Sequence, residues 1–152
     1  MDWRALVVLA HVFAAFWWFA GYAGTNLCTE IARRSTSDDD CRAALSISDR
    51  LDVVANRTGG MAVGLTGLLA VLVFGYSLTT PWVLAAIVLF AFVVFGGIFF
   101  WSRFGGQVGA AAKAGDWPGV RRALSAPRIL VYSRVENVVV VLIIALMVLR
   151  PG

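Results

Sequence analysis

"WRALVVLAHVFAAFWWFAGYAGTNL", residues 3–27, holds a single charged side chain, Arg4, at its start. About 20 consecutive apolar residues let a helix cross the hydrocarbon of a bilayer. Inside hydrocarbon every backbone N–H and C=O must be paired, within a helix or around a closed barrel. The run is continuously apolar rather than alternating, which selects the helix. It is too long for the apolar core of a cleavable leader, Asp2 spoils the basic stretch that opens such a leader, and no A-x-A-like site follows it. We read it as a retained first span. "TNLC" at 25–28 does not match a lipoprotein cleavage site, so Cys28 is read as unlipidated.

Working outward, three more segments have this character, at about 59–78, 81–101 and 129–149. The chain of 152 residues is 60% hydrophobic and 14% charged, with a mean hydropathy of +0.81. Soluble domains carry about 25% charged residues. A soluble fold of this length has too little interior for so much apolar surface, so lipid must solvate much of it. The expected fold is all-α: a single transmembrane domain over residues 1–152, a polytopic four-transmembrane-helix bundle with two charged loops. No internal repeat is visible.

The connections differ in kind. "SLTTPW" (77–82) is short and makes spans two and three an antiparallel hairpin. Pro81 suits a first helical position, where a missing N–H costs nothing. Residues 28–57 form a long charged loop. Within it "SISDRLDVVANR" (46–57) offers Ser46 or Ser48 as N-cap and Leu51, Val54 and Ala55 at helical spacing. Span two is therefore expected to begin as a helix outside the membrane, near Ser48. Asp38, Asp39 and Asp40 read as a solvated loop tip, without the glycine and closing glutamate of an EF-hand. In the second loop, "AAAKAGDWPGVRRAL" (110–124) reads as a short helix, a turn at Gly115–Asp116 and a basic amphipathic turn started by Pro118. Trp117 reads as an interfacial anchor.

Four spans put both termini on one side. The two long loops carry Arg33, Arg34, Arg42, Arg50, Arg57, Arg103, Lys113, Arg121, Arg122 and Arg128, against Arg4 and Arg150 on the terminus side. The positive-inside rule then predicts cytoplasmic loops and external termini in a cell membrane. It also accounts for the net charge of +4, since the basic residues face a cytoplasmic leaflet that is usually anionic. The expected partner is the bilayer, not nucleic acid. Cys28 and Cys41, on a cytoplasmic loop, read as reduced thiols. A disulfide between them would argue against this orientation, and a closed zinc site wants four ligands.

Three polar residues open span four: Arg134, Glu136 and Asn137 in "ILVYSRVENVVVV". Ionisable residues within a span are functional hypotheses by default. Glu136 precedes Arg150 by about 21 Å of helix, roughly a third of the way in from the cytoplasmic face. Arg134 can snorkel to that face. Tyr132, four residues before Glu136, is in hydrogen-bonding range. The structural reading is a polar clasp to Arg57 or another helix end; the functional one is a relay for protons or cations.

His11 is the only histidine. It lies about 12 Å along the first helix from Trp3, near the bilayer middle. Its helix face includes Ala14, Ala15 and Trp18, and the alanines leave room for a flat cofactor or a neighbouring helix. One reading is a neutral imidazole hydrogen-bonded to that helix. The other is an axial ligand of haem iron, with His11 as the metal ligand and Ala14, Ala15 and Trp18 beside a haem b. One histidine per chain cannot supply two axial imidazoles. The second would come from a homodimer partner, from Met147, or not at all. "GGMAVG" (59–64) spaces Gly60 and Gly64 for close helix contact, within the chain or between copies. Copper is a weaker candidate, its soft donors standing on different levels. There is no P-loop, no dinucleotide fingerprint and no Ser–His–Asp or Cys–His pattern, and no catalytic residue is assigned.

A span-one histidine followed by glycine in "HVFAAFWWFAG", the stretch "NRTGGMAVGLTG", a polar or acidic residue early in the last span and the terminal "LMVLRPG" together resemble a family of four-helix integral membrane proteins of unknown function. The terminal Met147, Val148, Arg150 and Pro151 match that family's Met-Val-x-Lys-Pro ending, with Arg for Lys. The pattern is also similar to the copper-resistance D-like proteins and the HemJ-like protoporphyrinogen oxidases. The HemJ-like resemblance implies a b-type haem on His11, although this chain lacks the fuller set of basic and histidine residues of those oxidases. The expectation is a haem-binding or redox-linked membrane protein. The alternatives are a non-catalytic membrane subunit, homo-oligomeric through its small-residue faces, and a small transporter or ion-pathway protein using Glu136.

Overall fold

The computed structural model describes residues 2–149, all in helices and short connections without strands. There are four membrane-length helices: α1 (Trp3–Arg34), α2 (Asp38–Phe74), α3 (Pro81–Lys113) and, after the short α4 (Trp117–Leu124), α5 (Pro127–Leu149). The chain divides into two compact units, one running through Ser77 and the other from Leu78 onward.

In the first unit α1 is 32 residues long, about 48 Å, which exceeds the hydrocarbon thickness. It runs past Leu27 to Arg34, with Glu30 clasped by Arg33 and Arg34 on the extension. The expected long loop is thus mostly helix. Only residues 35–37 connect, and α2 starts at Asp38 rather than near Ser48. Its cap is Ser37, whose hydroxyl accepts the Asp40 N–H at 3.4 Å. Asp38, Asp39 and Asp40 form the first turn instead of a loop tip. Their carboxylates stand at the positive end of the helix dipole, which favours helix there. Ser48 lies mid-helix and donates to the Thr25 carbonyl. At the other end α2 stops at Phe74, four residues short of Leu78, because Gly75 turns the chain at φ +69°.

Both long middle helices contain a π turn, Asp52–Arg57 in α2 and Gly96–Trp101 in α3. The two are built alike. The residue after each turn carries a hydroxyl, Thr58 or Ser102, that donates to the carbonyl of the turn's third residue, Val54 or Ile98. Trp17 Nε1 of α1 adds a second donor to the Val54 carbonyl at 3.3 Å. The hydroxyls therefore satisfy the Val54 and Ile98 carbonyls in the widened turns. Within the first turn Arg57 and Asn56 both bind the Asp52 carboxylate, at 2.7 and 2.8 Å. That bond holds Arg57 within its own turn.

α1 and α2 pack backbone against backbone. A Cβ on Gly21 would sit 2.5 Å from the Asn56 nitrogen, and one on Gly59 would sit 2.6 Å from Trp18 Cα. Trp18 lies under Gly59 and Gly60 and is buried, with Ala14 and Tyr22 on the same stripe. Gly60 thus serves packing within the chain. Phe13, Phe16, Leu65 and Leu72 stay exposed on the outward faces, as lipid-facing residues do.

In the second unit Pro81 occupies the first turn of α3, as expected. α3 continues unbroken through Trp101 to Lys113. Gly115 (φ +72°) makes the turn, Asp116 caps α4 by accepting the Gly119 N–H at 2.8 Å, and Pro118 lies in its first turn. Trp117, expected at the interface, is buried with Val120 and Leu124. Cys28 and Cys41 are both free thiols, the latter fully buried. Arg150 and Pro151 of the terminal motif lie outside the described residues.

Candidate functional site

Two polar clusters stand on otherwise apolar helices, one in each unit. The first is built around His11. The stripe His11, Ala14, Trp18 and Gly21 recurs at three- and four-residue spacing, so one face of α1 meets α2 along its length. Its register places His11 beside Thr66 and Gly67. His11 Nδ1 and Thr66 Oγ1 are 3.0 Å apart. The same hydroxyl is 2.6 Å from the Ala62 carbonyl, one turn back.

A hydroxyl has one hydrogen. The shorter contact, to a carbonyl that can only accept, takes it. With that hydrogen on the carbonyl, Thr66 Oγ1 is the acceptor in the imidazole contact, the tautomer with hydrogen on Nδ1 and a lone pair on Nε2. Gly67 gives the ring clearance: a Cβ there would come within 3.1 Å of His11 Cε1. The imidazole is half-buried within its unit. Ala14 and Trp18 face α2, while Ala15 is half-buried beside them.

The arrangement has the chemistry of a ligand histidine. Such a histidine donates its second ring N–H to a fixed acceptor, which sets tautomer and orientation. Among the described residues no three His, Cys, Asp or Glu side chains gather into a metal-binding group. A haem asks the chain for one imidazole, and His11 is the one histidine of the sequence.

The second cluster surrounds Glu136, 3% exposed on α5. Tyr132 does not bond to it. Its Oε2 accepts instead from Trp101 Nε1, at 2.9 Å, from the end of the second π turn. Tyr132 stacks on Phe100 with ring centres 3.9 Å apart, and its buried hydroxyl, without a hydrogen-bond partner, fills the place where a side chain on Gly96 would stand. Arg134 and Asn137 are exposed, so neither shares Glu136's buried face.

Thr66, Gly67, Trp101 and Gly96 were not singled out from the sequence. Thr66 is 55 residues from His11, and only the helix register brings them together.

Four apolar helices of membrane length, with two polar clusters set into their packed faces, define a polytopic helical integral membrane protein. More narrowly, the chain belongs to the family described as "Predicted integral membrane protein (DUF2269)", whose model matches residues 5–151. No curated protein and no solved structure matches the chain.

Proposed function

We propose that this protein is a haem-binding, redox-linked membrane protein in which His11 Nε2 is an axial ligand of a b-type haem. The observation that carries the reading is the Thr66 bond, which engages Nδ1 and leaves Nε2 free. The resemblance to the HemJ-like proteins, which carry a haem on a span-one histidine, supports it. When bound, the haem supplies one-electron chemistry. The chain's own part is positional: Thr66 fixes the ring, Gly67 gives it clearance, and Ala14 and Trp18 anchor α1 to α2. With one histidine per chain, either one axial imidazole suffices or two copies share a haem across a homodimer axis. The loop arginines favour cytoplasmic loops and external termini in the cell membrane.

The test is the visible spectrum of the full chain, purified in detergent and supplemented with haem, before and after dithionite. The expected result is a Soret band that shifts on reduction and is lost in His11→Ala while helicity is retained. A colourless wild-type protein, or an unchanged band in His11→Ala, would overturn the reading.

A further inference from the structure

We propose that the exposed face of α5 holds one anionic phospholipid, with its phosphate on Arg134 and an acyl chain in the groove beside it. The proposal is independent of His11 and of the haem reading.

An open groove of about 250 Å³ runs along α5, lined by Asn137, Val138, Val141 and Leu142. All four residues are exposed, and so is Arg134. Arg134 stands three residues before Asn137, four before Val138 and seven before Val141. Residues at that spacing share one helix face. Side chains on a helix lean towards its N-terminus. The Arg134 guanidinium therefore extends towards the loop end of α5, and the groove runs the other way, into the apolar part of the span. A cation above an apolar channel matches the two ends of a phospholipid. Asn137 lies about 4.5 Å further along the helix than Arg134. In a phospholipid the ester groups lie just inside the phosphate, and an amide N–H can donate to an ester carbonyl.

Charge selects the headgroup. Between residues 102 and 134 the chain carries Arg103, Lys113, Arg121, Arg122, Arg128 and Arg134 against a single acid, Asp116. Asp116 is committed to the cap of α4. Glu136 is buried on another face of α5 and bonded to Trp101. Among the described residues the Arg134 guanidinium makes no ion pair or hydrogen bond. The first unit is built differently: Glu30 clasps Arg33 and Arg34, and Asp52 holds Arg57. A zwitterionic headgroup would bring an ammonium into the cationic end of the second unit with no carboxylate to meet it. An anionic headgroup brings the phosphate alone, which a guanidinium binds through paired N–H donors. Basic residues beside a span attract anionic lipid in the same way.

The experiment is native mass spectrometry of the full chain in detergent. The probes are phosphatidylglycerol and phosphatidylcholine with identical acyl chains. Wild type is expected to retain one phosphatidylglycerol at concentrations where phosphatidylcholine is lost. Arg134→Gln should weaken phosphatidylglycerol about fivefold, the effect of one basic residue at an anionic surface. Val138→Trp, which fills the groove, should weaken both lipids. Lys113→Gln removes an exposed cation of the same unit away from the groove and should bind as wild type does. In a second arm, which needs no variant, phosphatidylglycerol with a photoactivatable acyl chain should label residues 137–142 of the wild-type protein. Equal retention of the two lipids, equal binding by Arg134→Gln, the same loss in Lys113→Gln, displacement by inorganic phosphate alone, or label spread evenly over the four spans would overturn the proposal.

Discussion

Gly59→Leu is expected to prevent the first unit from assembling. A Cβ at this position would lie 2.6 Å from Trp18 Cα and 2.7 Å from Trp18 N. Both obstacles are backbone, so no rotamer change relieves them. Overpacking by even one or two carbons costs about 1–3 kcal/mol. Leucine adds four where two helix backbones touch, against a typical total stability of about 5–15 kcal/mol. Gly21→Ala should fail more mildly, its Cβ falling 2.5 Å from the Asn56 nitrogen. Gly109→Ala is the control, since nothing lies within 4 Å of a Cβ there. It should be neutral or stabilising by up to about 1 kcal/mol. Thermal unfolding monitored by circular dichroism, with elution in detergent, checks all three. A Gly59→Leu protein that unfolds like wild type would show that α1 and α2 do not meet at this point.

Thr66→Val should have the second-largest effect. Valine nearly matches threonine in shape and removes the acceptor that Thr66 gives His11 Nδ1–H. Leaving that donor unpaired costs about 1–3 kcal/mol, and it frees the ring to turn and change tautomer. If His11 is an iron ligand, losing such a partner should weaken haem binding by about 10–100-fold. Thr66→Ser keeps the hydroxyl and should bind as wild type does. Haem titration separates the variants. Equal affinity in Thr66→Val and wild type would detach Thr66 from the ligand role.

The spans were legible because lipid leaves a helix no alternative to a long unbroken apolar run. Pro81, Gly115 and Pro118 marked their turns for local reasons and sit where those reasons put them. The Asp38–Asp40 run was harder. Three carboxylates after a serine serve a solvated loop and a helix N-terminus equally well in composition, and the geometry of Ser37 settles which. The π turns left no compositional mark, since one extra residue per turn changes no property of the run. Thr58 and Ser102, each four residues after the carbonyl it binds, are the nearest thing to a signal.

The candidate sites were half legible. His11 and Glu136 stood out because polar groups are rare in spans. Their partners did not. Thr66 is a mild residue in an apolar helix, and finding it requires the α1–α2 register. Trp101 reads as an ordinary end to an apolar span. Tyr132, expected to hydrogen-bond Glu136, instead aims its hydroxyl at Gly96, because that glycine leaves a gap the phenol fills.

The protein's single histidine makes one measurement unusually clear. With 15N-labelled histidine, every imidazole signal in the nuclear magnetic resonance spectrum belongs to His11. Long-range 15N–1H correlation in detergent micelles, without haem, reports which ring nitrogen carries the proton. The Thr66 relay predicts hydrogen on Nδ1 and a bare Nε2, with the preference lost in Thr66→Val. A proton on Nε2 in the wild-type protein would contradict it, because the nitrogen assigned to iron would then be engaged.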